Sequence, residues 1–165
     1  MVMKEVVKLM DYRPDIKIVD ATLRDGGLVN NFRFTDEFVK DLYQTNIKAG
    51  VDVMEFGYKA DKEMFDVKDF GKWKFCDDED IRAVVGDNNT DLKIAVMADV
   101  GRCNYKQDIK PRAESPVDVI RVATYINQIP AAVDVIEDAV AKGYEVTCNI
   151  TVSYTHLTLP TSDLV

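Results

Sequence analysis

Five short apolar runs recur along this chain, separated by longer amphipathic stretches, and that alternation limits the fold more than any other feature. The runs are "IKIVDA" (16–21), "VDVMEFG" (51–57), "DLKIAVMADVG" (91–101), "VDVIRVATY" (117–125) and "YEVTCNI" (144–150). Each reads as a buried strand. The segment "TDEFVKDLYQTNIKAG" (35–50) reads as a helix with Phe38, Val39, Leu42 and Ala49 on one side. Thr35 is its expected N-cap, Phe34 should pack on Val39, and Gly50 should close the end. A loop of mixed charge and aromatics, Lys59 to Phe75, leads to the helix start "CDDEDIRAVVG", whose Asp77 to Asp80 complement the helix dipole. "IPAAVDVIEDAVAKG" (129–143) reads as a helix with Pro130 in its first turn, an apolar face of Val133, Ile136 and Val140, and Gly143 at its stop. Strands apolar almost throughout, joined through helices, imply an α/β fold with a parallel sheet, because parallel neighbours need a crossover. An open doubly wound sheet and a (β/α)₈ barrel both satisfy the pattern. Length favours the open sheet, since a barrel typically takes about 250 residues.

Composition narrows the functional classes. With 165 residues, 47% hydrophobic and 30% charged, the chain is one soluble domain or a piece of one. A net charge of -8 without a basic patch speaks against nucleic acid and against an anionic membrane surface. Cys76, Cys103 and Cys148 lie far apart, without the spacing of a disulfide framework or a thiolate metal site. No apolar run approaches the ~20 residues of a membrane span, and "MVMKEVVKLMDYRPD" is too broken by charge for a signal peptide. A cytoplasmic setting is expected.

The chemistry concentrates in "DATLRDGGL" (20–28), which directly follows the first run. Its side chains should emerge at the carboxyl end of that strand, where parallel α/β folds assemble their sites. Arg24 offers a planar, permanent charge for a carboxylate, and Asp25 offers hard oxygens for a divalent cation. Gly26 and Gly27 are expected to let the backbone turn sharply away. Glu55, Asp99 and Arg121 also fall at or within strand ends, although each taken singly is more often a structural ion-pair partner.

Asp20, Thr22, Leu23, Arg24, Asp25 and Gly26 resemble the D-x-T-L-R-D-G signature of the DRE-TIM metallolyases, the HMGL-like or pyruvate carboxyltransferase family. "VMEFGY" places Glu55 where that family's glutamate follows its second strand. The resemblance runs from about residue 15 to 150, over four βα units and a fifth strand. It implies the N-terminal part of a TIM barrel, here truncated, and an aldolase-type activity that cleaves or forms a carbon-carbon bond beside the carbonyl of a 2-oxo acid. It implies a divalent cation, Mn²⁺ or Mg²⁺, with Asp25 as ligand. Arg24 would stabilise the enolate oxygen, and Glu55 would orient Arg24 or hold a metal-bound water. Asp99, Arg121 and Asn149 would join them at the strand ends as substrate-binding groups.

Two departures accompany the likeness. Leu28 stands where aldolases of the family carry a catalytic-base histidine, and no HxH pair of metal ligands is present. The single histidine, His156, lies in the tail "VSYTHLTLPTSDLV", which breaks the βα rhythm. Val152 to Thr161 is what GTC TCT TAT ACA CAT CTG ACG CTG CCG ACG encodes, a string like a transposon mosaic end with its sequencing adaptor. Residues 152–165 are therefore read as adaptor-derived and 1–151 as a partial barrel domain, and His156 receives no role. The expected partner is a small 2-oxo acid, the parent protein is expected to be homo-oligomeric, and the fragment alone should be poorly soluble or inactive. A carboxyltransferase or acyl-CoA-dependent synthase of the same family, or a non-catalytic barrel, are the alternatives. A doubly wound nucleotide-binding protein is disfavoured by the absence of GxGxxG or GxxxxGK after any strand.

Overall fold

A computed structural model describes residues 15–151; the adaptor-like segment and His156 lie outside the described residues. The strands are β1 (Val19–Asp20), β2 (Val53–Tyr58), β3 (Lys93–Asp99), β4 (Val119–Thr124) and β5 (Glu145–Ile150). They form one sheet in the order β1-β2-β3-β4-β5, with every pair parallel. The helices are α1 (Thr22–Asn30), α2 (Asp36–Ala49), α3 (Asp78–Val85), a short α4 (Tyr105–Asp108) and α5 (Ile129–Ala141).

Strand order decides between the two architectures. Crossovers between parallel strands are right-handed almost without exception, so successive connections in one direction put every helix on the same face. A doubly wound sheet needs the order to reverse, and here it does not. The chain is therefore part of a (β/α)₈ barrel, with one face under helices and the other lining the interior. Residue alternation agrees. Met54, Phe56, Ile94, Val96, Ile120 and Val122 join the core under the helices. Val19, Val53, Lys93, Val119, Arg121 and Thr147 line a concavity of about 380 Å³ on the inner face.

The strand positions match expectation more closely than the helix faces do. β1 is shorter than 16–21, because Ile18 is tied to β2 through the Asp52 carboxylate (2.8 Å to its amide) and Ile16 and Ile18 are exposed at the sheet edge. β5 was expected to be buried, yet Cys148 and Ile150 are exposed, because it is the other edge strand of the described sheet. In α2, Thr35 caps as expected by accepting from the Phe38 amide at 3.2 Å, and Gly50 closes the helix at φ 71°. Its buried residues are Val39, Tyr43 and Asn46, whereas Phe38 is exposed and stacks on Phe34. In α5, Ala132, Val135 and Ala139 face the sheet while Val133 and Val140 stay 43% and 56% exposed. Small alanines let the helix approach the strands closely, and the larger valines are displaced to the flank.

The expected turn at Gly26 and Gly27 is instead the interior of α1, which starts at Thr22. Asp20 secures that start, accepting from the Thr22 amide (3.3 Å) and hydroxyl (2.5 Å) and from the Asn46 side chain (2.9 Å). Gly27 is needed for close packing: a Cβ there would stand 2.1 Å from Cδ1 of the buried Phe32 ring. The helix then ends in two consecutive left-handed residues, Asn31 (φ 55°) and Phe32 (φ 62°). For a residue as bulky as phenylalanine that conformation is strained.

Candidate active site at the carboxyl ends of the strands

Arg24 lies in the first turn of α1, just past the end of β1, and reaches inward to β2. Its Nε donates to Glu55 Oε2 at 2.9 Å, and its Nη1 donates to Asp25 Oδ1. Arg121, from the middle of β4, donates through Nη1 to the same Glu55 oxygen at 2.5 Å and through Nη2 to Asn149 Oδ1 at 3.2 Å. β2 and β4 are separated by β3, so their axes lie roughly 9.6 Å apart. Glu55 and Arg121 meet across β3, where Ala95 is the register partner of Glu55 and Met97 that of Arg121.

The cluster is dry at its centre. Glu55 is fully buried, while the Arg24 and Arg121 side chains are 16% and 17% exposed. Burial works against the charge on Arg24, but the hydrogen bond and charge of Glu55, with help from Asp25, more than offset it and hold its pKa above the ordinary value. The second Glu55 oxygen, Oε1, is buried and has no hydrogen-bond partner among the described residues. An unpaired buried carboxylate oxygen is costly and leaves an acceptor ready for a ligand group or water.

Arg24, Asp25, Glu55, Arg121 and Asn149 are thus brought into one connected set of contacts. Asp99 belongs to a neighbouring group. It lies 3.6 Å from Arg102, and burial raises its pKa against the opposing charges of Arg102 and Lys74. Leu28 sits on α1 with its side chain exposed.

Three groups escape the sequence reading. Tyr58 closes β2, and burial raises its pKa more than the charge of Arg24 lowers it. Lys74 places its ammonium over four rings, Phe65 (4.4 Å), Tyr58 (4.7 Å), Phe32 (5.1 Å) and Phe70 (5.5 Å). Burial lowers the Lys74 pKa, with Arg102 adding to that and Asp99 opposing it. Lys59 and Asp78 form a buried ion pair of 2.7 Å that ties the end of β2 to the first turn of α3. The available signal was position: "GYK" (57–59) stands at the carboxyl end of an apolar strand, two residues past Glu55.

Among the described residues no group of three or more histidine, cysteine, aspartate or glutamate side chains could hold a metal ion. Asp25, 61% exposed at the mouth, offers one hard carboxylate, and these residues do not by themselves fit a complete cation site. No described helix is long and apolar enough to cross a membrane.

No protein-family model matches the chain. Among curated proteins it is similar to 4-hydroxy-2-oxovalerate aldolase 6 of Rhodococcus jostii, 29% identical over 150 residues, which cover 91% of this chain and 41% of that protein. It is also similar to 4-hydroxy-2-oxovalerate aldolase of Pelotomaculum thermopropionicum, 27% identical over 143 residues, or 86% of this chain and 41% of that protein. The chain spans about 41% of the length of these curated relatives.

Proposed function

We propose that this chain is the N-terminal part of an aldolase of the DRE-TIM type, which cleaves or forms the carbon-carbon bond of a 4-hydroxy-2-oxo acid. The observation that carries the reading is the convergence of Arg24 and Arg121 on one buried oxygen of Glu55 at the strand ends. Two fixed guanidiniums share a single anion there. An incoming carboxylate with an adjacent enolate oxygen would meet a positive field already oriented toward it, the preorganisation that dominates such catalysis. Arg24 is assigned the enolate oxygen, Arg121 with Asn149 the substrate carboxylate, and Glu55 the positioning of both arginines. Asp99 borders the substrate on the Arg102 side.

Asp25 is proposed as one ligand of a divalent cation, Mn²⁺ or Mg²⁺, whose remaining ligands come from beyond the described residues. When bound, such an ion would supply Lewis-acid stabilisation of charge on oxygen. Names of the two relatives support the reaction class and suggest the first substrate to try. Incubating the intact parent protein and Mn²⁺ with 4-hydroxy-2-oxovalerate should release pyruvate and acetaldehyde. Absence of pyruvate, with oxalate still bound at the site, would leave the non-catalytic reading that Leu28 favours.

A further inference from the structure

Lys74 and Arg102 come from different loops, yet their backbones are clasped to consecutive residues. Ala60 donates its amide to the Lys74 carbonyl at 3.2 Å, and Asp61 donates to the Arg102 carbonyl at 2.9 Å. Residues 60 and 61 lie just past β2, where the Lys59 amide still bonds the Met97 carbonyl of β3 at 2.8 Å. Both cations are thus fixed on the rim above β2 and β3, at the carboxyl end that holds Arg24 and Glu55. Tyr58, Lys74, Asp99 and Arg102 line one cleft there.

Charge in this group is unevenly answered. The Lys74 ammonium lies over the Phe65, Tyr58, Phe32 and Phe70 rings, which attract a cation but do not neutralise it. Among the described residues the carboxylate that attracts Lys74 is Asp99, and Asp99 also lies 3.6 Å from Arg102. Two cations share one anion. Neighbouring lysines are matched differently: Lys59, Lys62 and Lys72 hold Asp78, Asp77 and Asp36 within 2.6–2.8 Å. A half-buried ammonium set over rings is positioned to receive an incoming anion with little further desolvation. Because the cleft is narrow, that anion would dock at its rim, beside the 58% exposed Arg102.

Spacing across the sheet indicates what the anion belongs to. Asp99, Ala123 and Asn149 are register partners along β3, β4 and β5. Two strand spacings, ~9.6 Å, therefore separate Asp99 from Asn149, which accepts from Arg121 where the substrate carboxylate is assigned. A seven-carbon diacid has as many chain bonds as two extended residues and reaches about 7 Å, so donors on either side can hold both its ends.

We propose that Lys74, with Arg102 beside it, binds a second carboxylate at the far end of the substrate, so that the parent enzyme takes 4-hydroxy-2-oxo diacids in preference to monoacids. This rests on the aldolase reading above and names its substrate class. In synthesis C3 of pyruvate gives up a proton and bonds to the aldehyde carbon, whose oxygen gains a proton; cleavage is the reverse. Lys74 takes no part in those transfers and determines which aldehyde is held.

The test compares kcat/KM for two aldehydes with the intact parent protein, pyruvate and Mn²⁺: succinic semialdehyde, which carries a carboxylate, and pentanal, an uncharged aldehyde of similar length. The unaltered protein should favour succinic semialdehyde by about tenfold or more, the lower end of what a hydrogen bond between charged groups contributes. Lys74→Met should lower kcat/KM for succinic semialdehyde by about 10–10²-fold, mainly through KM. Its kcat/KM for pentanal should stay within about threefold, which also shows that the variant is folded. Lys74→Arg, which keeps a charge over the rings, should retain the preference. A preference for pentanal in the unaltered protein would overturn the proposal, as would equal losses for both aldehydes in Lys74→Met. If the unaltered protein cleaves 4-hydroxy-2-oxovalerate but does not favour the charged aldehyde, the proposal fails and the aldolase reading stands. If it neither cleaves that acid nor joins pyruvate to either aldehyde, both fail.

Discussion

Replacing Glu55 with glutamine removes the one anion between Arg24 and Arg121 while keeping nearly the same shape. At ~4 Å and an effective dielectric constant of ~20, each ion pair is worth roughly 4 kcal/mol of Coulomb attraction, or roughly 8 for the two. Desolvating the buried carboxylate already costs several kcal/mol of that gain. What the substitution exposes is the mutual repulsion of two guanidiniums that are 16% and 17% exposed and have lost their shared acceptor. A loss of about 3–5 kcal/mol is expected, a large part of the 5–15 kcal/mol that a folded protein typically holds. Urea titration of the intact parent protein should show the midpoint falling with little change in slope. Replacing all three charged residues by methionine should instead leave stability within about 1 kcal/mol of the starting protein, since apolar packing can substitute for a buried ionic triad. A loss below about 1 kcal/mol in Glu55→Gln would refute the reasoning, because the triad would then be screened by water.

Four further expectations follow from the geometry. Gly27→Ala should cost about 1–3 kcal/mol by pushing into the Phe32 ring, while Gly26→Ala, which meets only Phe34 Cζ at 3.5 Å, should stabilise α1 by about 0.5–1 kcal/mol; paired thermal melts check the contrast. Lys59→Met should cost about 3–5 kcal/mol by stranding the buried Asp78, read by urea titration. Burial raises the Asp99 pKa, so its ionisation opposes folding once the pH exceeds the ordinary carboxylate value; Asp99→Asn should therefore raise Tm at pH 7, and the gain should vanish near pH 3. Burial pushes the Cys103 thiol up to about 12 and raises the buried Cys76 further, so iodoacetamide at pH 8 should label the exposed Cys148 first, as mass spectrometry of timed samples would show.

What could be read from the chain divides along physical lines. The five strands were legible as short apolar-rich runs between amphipathic stretches, although the inner face of β5 carries Glu145, Thr147 and Asn149. Helix faces were harder, since hydrophobicity ranks Val133 and Val140 above Ala132 and Ala139, whereas close approach to the sheet selects the alanines. Helix α1 was read as a turn because its two glycines usually mark one; only the Phe32 ring lying on Gly27 explains a glycine inside a helix. Arg24, Glu55 and Arg121 stood out by their places at or within strand ends and Asn149 through the family resemblance, and they meet because parallel strands share one carboxyl edge. Asp99 shares that edge, but its charge faces Arg102 and Lys74. Tyr58 was signalled only by its place at the carboxyl end of a strand, because no sequence periodicity announces the register shift that precedes it.

The ion triad also has a place in time. Arg24 and Glu55 are 31 residues apart and can meet once β1 and β2 have paired, but Arg121 stands 66 residues from Glu55 and arrives only with β4. Closing that longer loop adds less than about 1 kcal/mol of chain entropy beyond the shorter one, so the order is set by topology rather than by cost. Arg121 can reach Glu55 only when β2, β3 and β4 are in register, and any opening that peels β4 away would release it. Amide exchange along β4 should report such opening, with the slowest protons marking the lifetime of the assembled site.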